Sequence, residues 1–138
     1  PDAFIFTDQA NVALSTVIES DAIVIKGINA PTPISVTGGQ YSINGGTYTS
    51  AAGMLNNGDT VKLRHTSSAS YATKTDTVVT IGGLADTFTS TTVAKDTTPD
   101  VFSFADQTDV ALSTVVTSNE ITVSGINAST PISVTGGK

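Results

Sequence analysis

The chain has 138 residues and a net charge of −6, with 12 acidic and 6 basic side chains, one histidine and no cysteine. This excludes a disulfide framework, a thiolate metal site, a cysteine nucleophile and a multi-histidine metal centre. The acidic balance argues against the basic face that nucleic-acid binding requires, and no apolar run approaches the ~20 residues of a membrane-spanning helix.

Thr (24), Val (14) and Ile (11) far outnumber Leu (5), which is strand composition. In chain order, the first predicted strand covers residues 3–7. A polar break at Asp8-Gln9 leads to a short segment over residues 16–20. Ser20-Asp21 predicts a turn, followed by a strand over residues 22–28. Pro31 and Pro33 end that strand, because proline cannot donate to a ladder. A strand over residues 34–37 closes at Gly38-Gly39. Residues 40–43 and 47–49 flank Asn44-Gly45-Gly46, a hairpin signal, since Asn and Gly accept positive φ. Asn57-Gly58-Asp59 turns the chain into residues 60–66, where Val61, Leu63 and His65 share one face. Residues 72–81 form another strand, and Gly82-Gly83 turns into residues 86–92 around Phe88. Short strands between turn signals, with no helical periodicity, predict an all-β antiparallel sandwich. The apolar phase of each strand predicts a core of Phe4, Phe6, Ile23, Ile25, Ile34, Val36, Val61, Leu63, Val79, Ile81 and Phe88. Tyr71 stands where a tyrosine corner would sit, or else it packs at the core edge.

Residues 1–40 match residues 99–138 at a constant offset of 98, with 26 identities and no gap. The segment from Val12 to Val17 returns unchanged from Val110 to Val115, and Thr32 to Gly39 returns as Thr130 to Gly137. Where the copies differ, apolar residues persist at every second position: Phe4 and Phe6 return as Phe102 and Phe104, while Ile5 becomes Ser103. Such alternation marks a strand with one buried and one wet face. The domain organisation follows: residues 1–96 form one complete repeat, and residues 97–138 the N-terminal part of a second, with the first three strand equivalents. Half a sandwich cannot bury Phe102, Phe104, Ile121 and their neighbours. Those side chains are therefore expected to be covered by other polypeptide, whether neighbouring repeats of the same protein or another copy.

Phe-x-Phe-x-Asp-Gln, Ile-x-Val-x-Gly-Ile-Asn, Pro-Ile-Ser-Val-Thr-Gly-Gly, Tyr-Ser-Ile-Asn-Gly-Gly, Asn-Gly-Asp-Thr-Val and Thr-Ile-Gly-Gly follow one another in that order. This series resembles the tandem immunoglobulin-like (fibronectin type III-like) repeats of long bacterial surface and secreted adhesin-type proteins. The resemblance covers residues 1–94 and the partial second unit. It implies an immunoglobulin-like sandwich of about seven strands, repeated in tandem, an extracellular or cell-surface location, and a structural role in stalks and filaments. His65 departs from the pattern, which has an apolar residue there.

Several residues invite a chemical role. His65 has no spacing to a carboxylate and a nucleophile that favours a triad, and reads as a hydrogen-bonded structural residue. Asp96 and Asp100, with Asp8 or Asp106, could supply oxygens to a calcium ion at the joint between units, although no Asp-x-Asp-x-Asp motif is present. A plain polar linker is the simpler reading. The Thr73, Thr75, Thr77 and Thr87, Thr89, Thr91 rows read as strand faces, the first in phase with Val79 and Ile81. Asn127-Ala128-Ser129 fits a glycosylation pattern that the first copy, with Asn29-Ala30-Pro31, lacks. Tyr41, Tyr48 and Tyr71 are the side chains available for a carbohydrate platform, but their strand and hairpin positions read first as core or rim packing. The expected function is a structural spacer, not an enzyme, with no cofactor. A carbohydrate- or protein-binding module and a strand-exchanging fibre subunit are the alternatives.

Overall fold

The computed structural model describes residues 1–137, so Lys138, the last residue of the predicted partial repeat, lies outside the description. The chain forms two compact units, Pro1–Ala94 and Lys95–Lys138.

In the first unit the described residues form nine strands: β1 (Gln9–Val12), β2 (Val17–Glu19), β3 (Ile23–Val24), β4 (Thr32–Thr37), β5 (Gln40–Ile43), β6 (Gly53–Leu55), β7 (Thr60–Thr66), β8 (Lys74–Ile81) and β9 (Leu84–Thr92). One sheet has the order β1-β9-β8-β4-β6. In the other, β7 is flanked by β2 and β3 along one edge and by β5 along the other. Every pairing is antiparallel except β1, which runs parallel to β9. The unit is all-β and sandwich-like.

Alternation builds the interior. Val61, Leu63 and His65 of β7, Thr77, Val79 and Ile81 of β8, and Phe88, Ser90 and Thr92 of β9 all point inward. Of the predicted core, Phe6, Ile25, Ile34, Val61, Leu63, Val79, Ile81 and Phe88 are buried, and Phe4, Ile23 and Val36 pack against them half-buried. Ile18 and Leu55 join the core without having been anticipated, and Tyr41 joins it in keeping with its strand position. Leu55 belongs to β6, a three-residue strand too short to show periodicity.

Several predicted elements need correction. Residues 3–7 form no ladder. They are tied by side-chain and isolated backbone bonds instead: Phe6 N–H donates to Asp86 Oδ2 at 2.7 Å, and Asp2 N–H to the Lys26 carbonyl at 2.9 Å. Pairing begins at Gln9, inside the expected polar break, because Gln9–Val12 reaches the outer edge of β9. The turn at Ser20-Asp21 is an interruption within one lane: β2 and β3 both pair with β7, and buried Ser20 accepts the Leu63 N–H through its hydroxyl at 2.9 Å. The strand expected over residues 22–28 is thereby cut to Ile23–Val24. Pro33 lies within β4, opposite Met54 of the edge strand β6, where a missing donor is tolerated. The hairpin at Asn44 keeps a single bridge, Tyr41 to Thr49, on its second arm. Asn44 itself takes φ 51° and accepts the Thr60 N–H at 2.9 Å through its side chain.

The Asp86 carboxylate anchors a segment that no ladder holds. Asp86→Ala is expected to cost ~1.5–3 kcal/mol, the range for a hydrogen bond to a charged group. Denaturant unfolding measures that loss. Amide exchange at Phe6 should quicken while β7 and β8 stay protected.

The second unit has no strand among its described residues, and Phe102 and Phe104 stand half-exposed. Its chain bends as the first copy does: Asn11 and Asp109 have φ 55° and 56°, Ser15 and Ser113 49° and 54°, and Gly27 and Gly125 74° and 81°.

Candidate functional site

The most distinctive chemistry of the first unit lies in its core. His65, on β7, reaches across to the opposite sheet. Its Nδ1 lies 2.8 Å from Thr77 Oγ1 on β8, and its Nε2 lies 2.7 Å from Ser90 Oγ on β9. The ring stacks on Phe88, with centroids 5.0 Å apart and planes inclined by 28°. Thr77 Oγ1 is also 3.3 Å from the Gly38 carbonyl. One proton arrangement satisfies the row: Nδ1–H donates to Thr77, Thr77 donates to Gly38, and Ser90 donates to the Nε2 lone pair. A neutral imidazole fits this row, and burial pushes the His65 pKa below its ordinary value, partly opposed by Asp76. Among the described residues no buried side-chain polar atom lacks a partner.

The row joins two sheets at the position where the resemblance expects an apolar contact. Ser90 and Thr77 are fully buried, so neither hydroxyl meets a substrate in this arrangement. A cavity of ≈ 480 Å³ opens beside the row, bordered by Gly38, Gly39, Gln40, Arg64 and His65. Gly39 sets its floor: a Cβ there would run into Thr77 Oγ1 and the Arg64 carbonyl. Gly39→Ala is therefore expected to destabilise the unit by ~1–3 kcal/mol, as overpacking does. A Gly39→Ala melt superimposable on the parent would show that Thr77 is free to move.

The outward side of β7 carries a charged cluster. Lys62 Nζ and Glu19 Oε2 are 3.1 Å apart, both half-exposed, a pair of small energetic weight. The Lys62 ammonium, followed by the Tyr48 hydroxyl, holds the Glu19 carboxyl below its usual range. Burial, then Glu19, pushes the Tyr48 hydroxyl up. Arg64 donates to Gln40 Oε1 at 2.9 Å and lays its guanidinium 4.1 Å from the Tyr48 ring centroid.

The tyrosines considered as a sugar platform are thus dispersed. Tyr41 is core and donates its hydroxyl to the Ala51 carbonyl at 2.9 Å, and Tyr48 lies under Arg64. Tyr71 is half-buried ahead of β8, its carbonyl accepting the Thr73 hydroxyl at 2.8 Å. Of the Thr rows, Thr77 is fully buried, Thr87 is exposed, and Thr89 donates to Asp76 Oδ1 at 2.7 Å.

The residues weighed for calcium make local bonds. Asp96 Oδ1 accepts the Thr98 N–H at 2.9 Å, and Asp100 Oδ2 accepts the Ser124 hydroxyl at 2.9 Å. Asp8 Oδ1 accepts the Thr89 N–H at 2.8 Å. Among the described residues no three His, Cys, Asp or Glu side chains come together as metal ligands. Asn127, of the glycosylation pattern, accepts the Asp96 N–H at 2.7 Å through its side-chain oxygen. Sequence reasoning placed His65 on the inward phase but missed its two partners. The signal was present: Thr77 and Ser90 each lie on the apolar phase of their strands.

No family model, curated protein or solved structure matches the chain.

Proposed function

We propose that this chain is a structural tandem-repeat module, a spacer in a cell-surface or secreted protein whose units are immunoglobulin-like. The observation that carries the reading is the 98-residue offset. It relates not only 26 of 40 residues but also the unusual backbone positions of both copies. A module that gains length by duplication needs a self-contained core and carries its stability unit by unit. The Pro1–Ala94 unit has such a core, and its polar row is satisfied by its own hydroxyls. The strand order supports the immunoglobulin-like assignment. The run β9-β8-β4 corresponds to the G-F-C sheet of such domains, and β7 between β2/β3 and β5 corresponds to B-E-D. The test is a series of chains with one, two and four complete units, measured by small-angle scattering. A spacer should grow in maximum dimension nearly in proportion to unit number, at unchanged melting temperature per unit. Units that collapse on one another, leaving the dimension flat, would overturn the reading.

A further inference from the structure

The second unit holds the shape of the first without any of its sheet. Asp100 N–H donates to the Ser124 carbonyl at 2.9 Å, as Asp2 does to Lys26 at 2.9 Å. Gln107 Nε2 donates to the Thr117 carbonyl at 2.6 Å, as Gln9 does to Glu19 at 2.6 Å. Phe102 and Phe104 sit edge to face with centroids 6.3 Å apart, as Phe4 and Phe6 do at 6.3 Å. A Cβ on Gly125 would strike Asp100, as one on Gly27 would strike Asp2.

What differs is cover. Phe6 is 2% exposed and Phe104 51%; Ile34 is 1% exposed and Ile132 96%. In the first unit the covering residues are known: Tyr41, Leu55, Val61, Leu63, Val79, Ile81 and Phe88, all between residues 41 and 94. The polar partners come from the same stretch. Asp86 takes the Phe6 N–H, and Thr89 N–H reaches Asp8. Ser67 takes the Thr16 N–H and donates to the Ala13 carbonyl, and Leu63 N–H reaches the Ser20 hydroxyl. The second unit keeps all five of the corresponding residues, as Phe104, Asp106, Ala111, Thr114 and Ser118. Its apolar-to-polar changes fall on outward positions, as where exposed Ile5 and Val24 become Ser103 and Thr122, while buried Ile18 and Ile25 stay apolar as Val116 and Val123.

We infer that residues 99–137 are a preset half-sandwich whose docking partner is a second copy of the segment 41–94, following it as 41–94 follows residue 40 in the first unit. The apolar face selects β-strands bearing large aliphatic and aromatic side chains at period 2, and the polar positions set their register. This rests on the tandem-repeat reading and adds what the second unit binds and by which contacts.

The experiment appends residues 41–94 after Lys138 of the full chain and follows amide hydrogen exchange. Amides of Phe104, Val116, Ile121 and Val123 should slow by at least ~100-fold relative to the 138-residue chain, towards the protection of Phe6, Ile18, Ile23 and Ile25. An appended copy carrying Leu63→Asp and Phe88→Asp should give no slowing. A second measurement does not depend on solubility. Glu19 and Arg64 are register partners in the first unit. Thr117→Cys with Arg64→Cys in the appended copy should therefore oxidise to one intramolecular disulfide, the chain having no other cysteine. Unchanged exchange together with no disulfide overturns the inference. So does full protection of residues 99–137 in the unextended chain through a dimer, which would make a whole second copy the cover. Protection without the lengthening expected of a spacer leaves this inference standing and removes the spacer reading alone.

Discussion

Phe88→Ala is expected to lower the stability of the Pro1–Ala94 unit by ~3–5 kcal/mol, the range for deleting a buried aromatic ring. Phe88 is fully buried on β9 and lies against the His65 ring, so its removal opens a void between the sheets and strips the imidazole of its stacking surface. For a unit of this size, each kcal/mol shifts the melting temperature by ~4–8 °C, so the drop should exceed ~12 °C. Differential scanning calorimetry reads it directly. A loss below ~1 kcal/mol would mean that β9 turns a different face to the core than the one described.

His65 gives the second large effect, and it depends on pH. Its folded pKa lies below the ordinary histidine value because burial disfavours the imidazolium. Above ~pH 7.5 both folded and unfolded chains hold a neutral ring, and His65 adds no pH dependence. As pH falls through ~6.5, the unfolded chain takes up a proton that the folded chain resists, so stability declines until the lowered folded pKa is reached. Glu19 and Asp59, whose carboxyls are held low by hydrogen bonds from Lys62 and from the Asn56 backbone, act in a separate, more acidic window. Their stabilising effect is present above the ordinary carboxyl range and is lost as pH falls through their lowered values. His65→Leu should abolish the decline near pH 6. It should also cost ~2–4 kcal/mol at neutral pH, because Ser90 loses its buried acceptor and the Phe88 stack is gone. Thr77 keeps its bond to the Gly38 carbonyl, which limits the damage. Urea titrations of both chains between pH 5 and 8 make the comparison. Parallel stability curves for the two would show that His65 is protonated as easily folded as unfolded.

Much of this architecture was legible from residue order. β7, β8 and β9 carry strict alternation over seven to nine residues, and each emerged with the expected face inward. Long strands have enough side chains for their period to outweigh a single exception. The 98-residue offset was legible too, because identity at a constant offset needs no folding to be seen. The turns at Asn44, Gly58 and Gly82 came through for a local reason: each takes a positive φ, which glycine, and asparagine to a lesser degree, tolerates.

Only the tertiary structure decided the rest. Residues 3–7 carry the alternation of a strand yet form none, because Phe6 finds its partner in the Asp86 carboxylate, eighty residues away. β6 is too short to have a period, and Leu55 counts as core only because β4 lies beside it. Val17–Glu19 and Ile23–Val24 become one lane solely through their common neighbour β7. The His65 row shows the same limit most clearly. Each of its members looks, in its own strand, like a polar residue in an apolar position, a flaw in the pattern. Brought within 2.8 Å across two sheets, the three side chains satisfy one another. Sequence determines which face of a strand is buried, because that depends on neighbours two residues away. Whether a buried polar group is tolerable depends on partners twelve and twenty-five residues distant, and that is settled only when the sheets close.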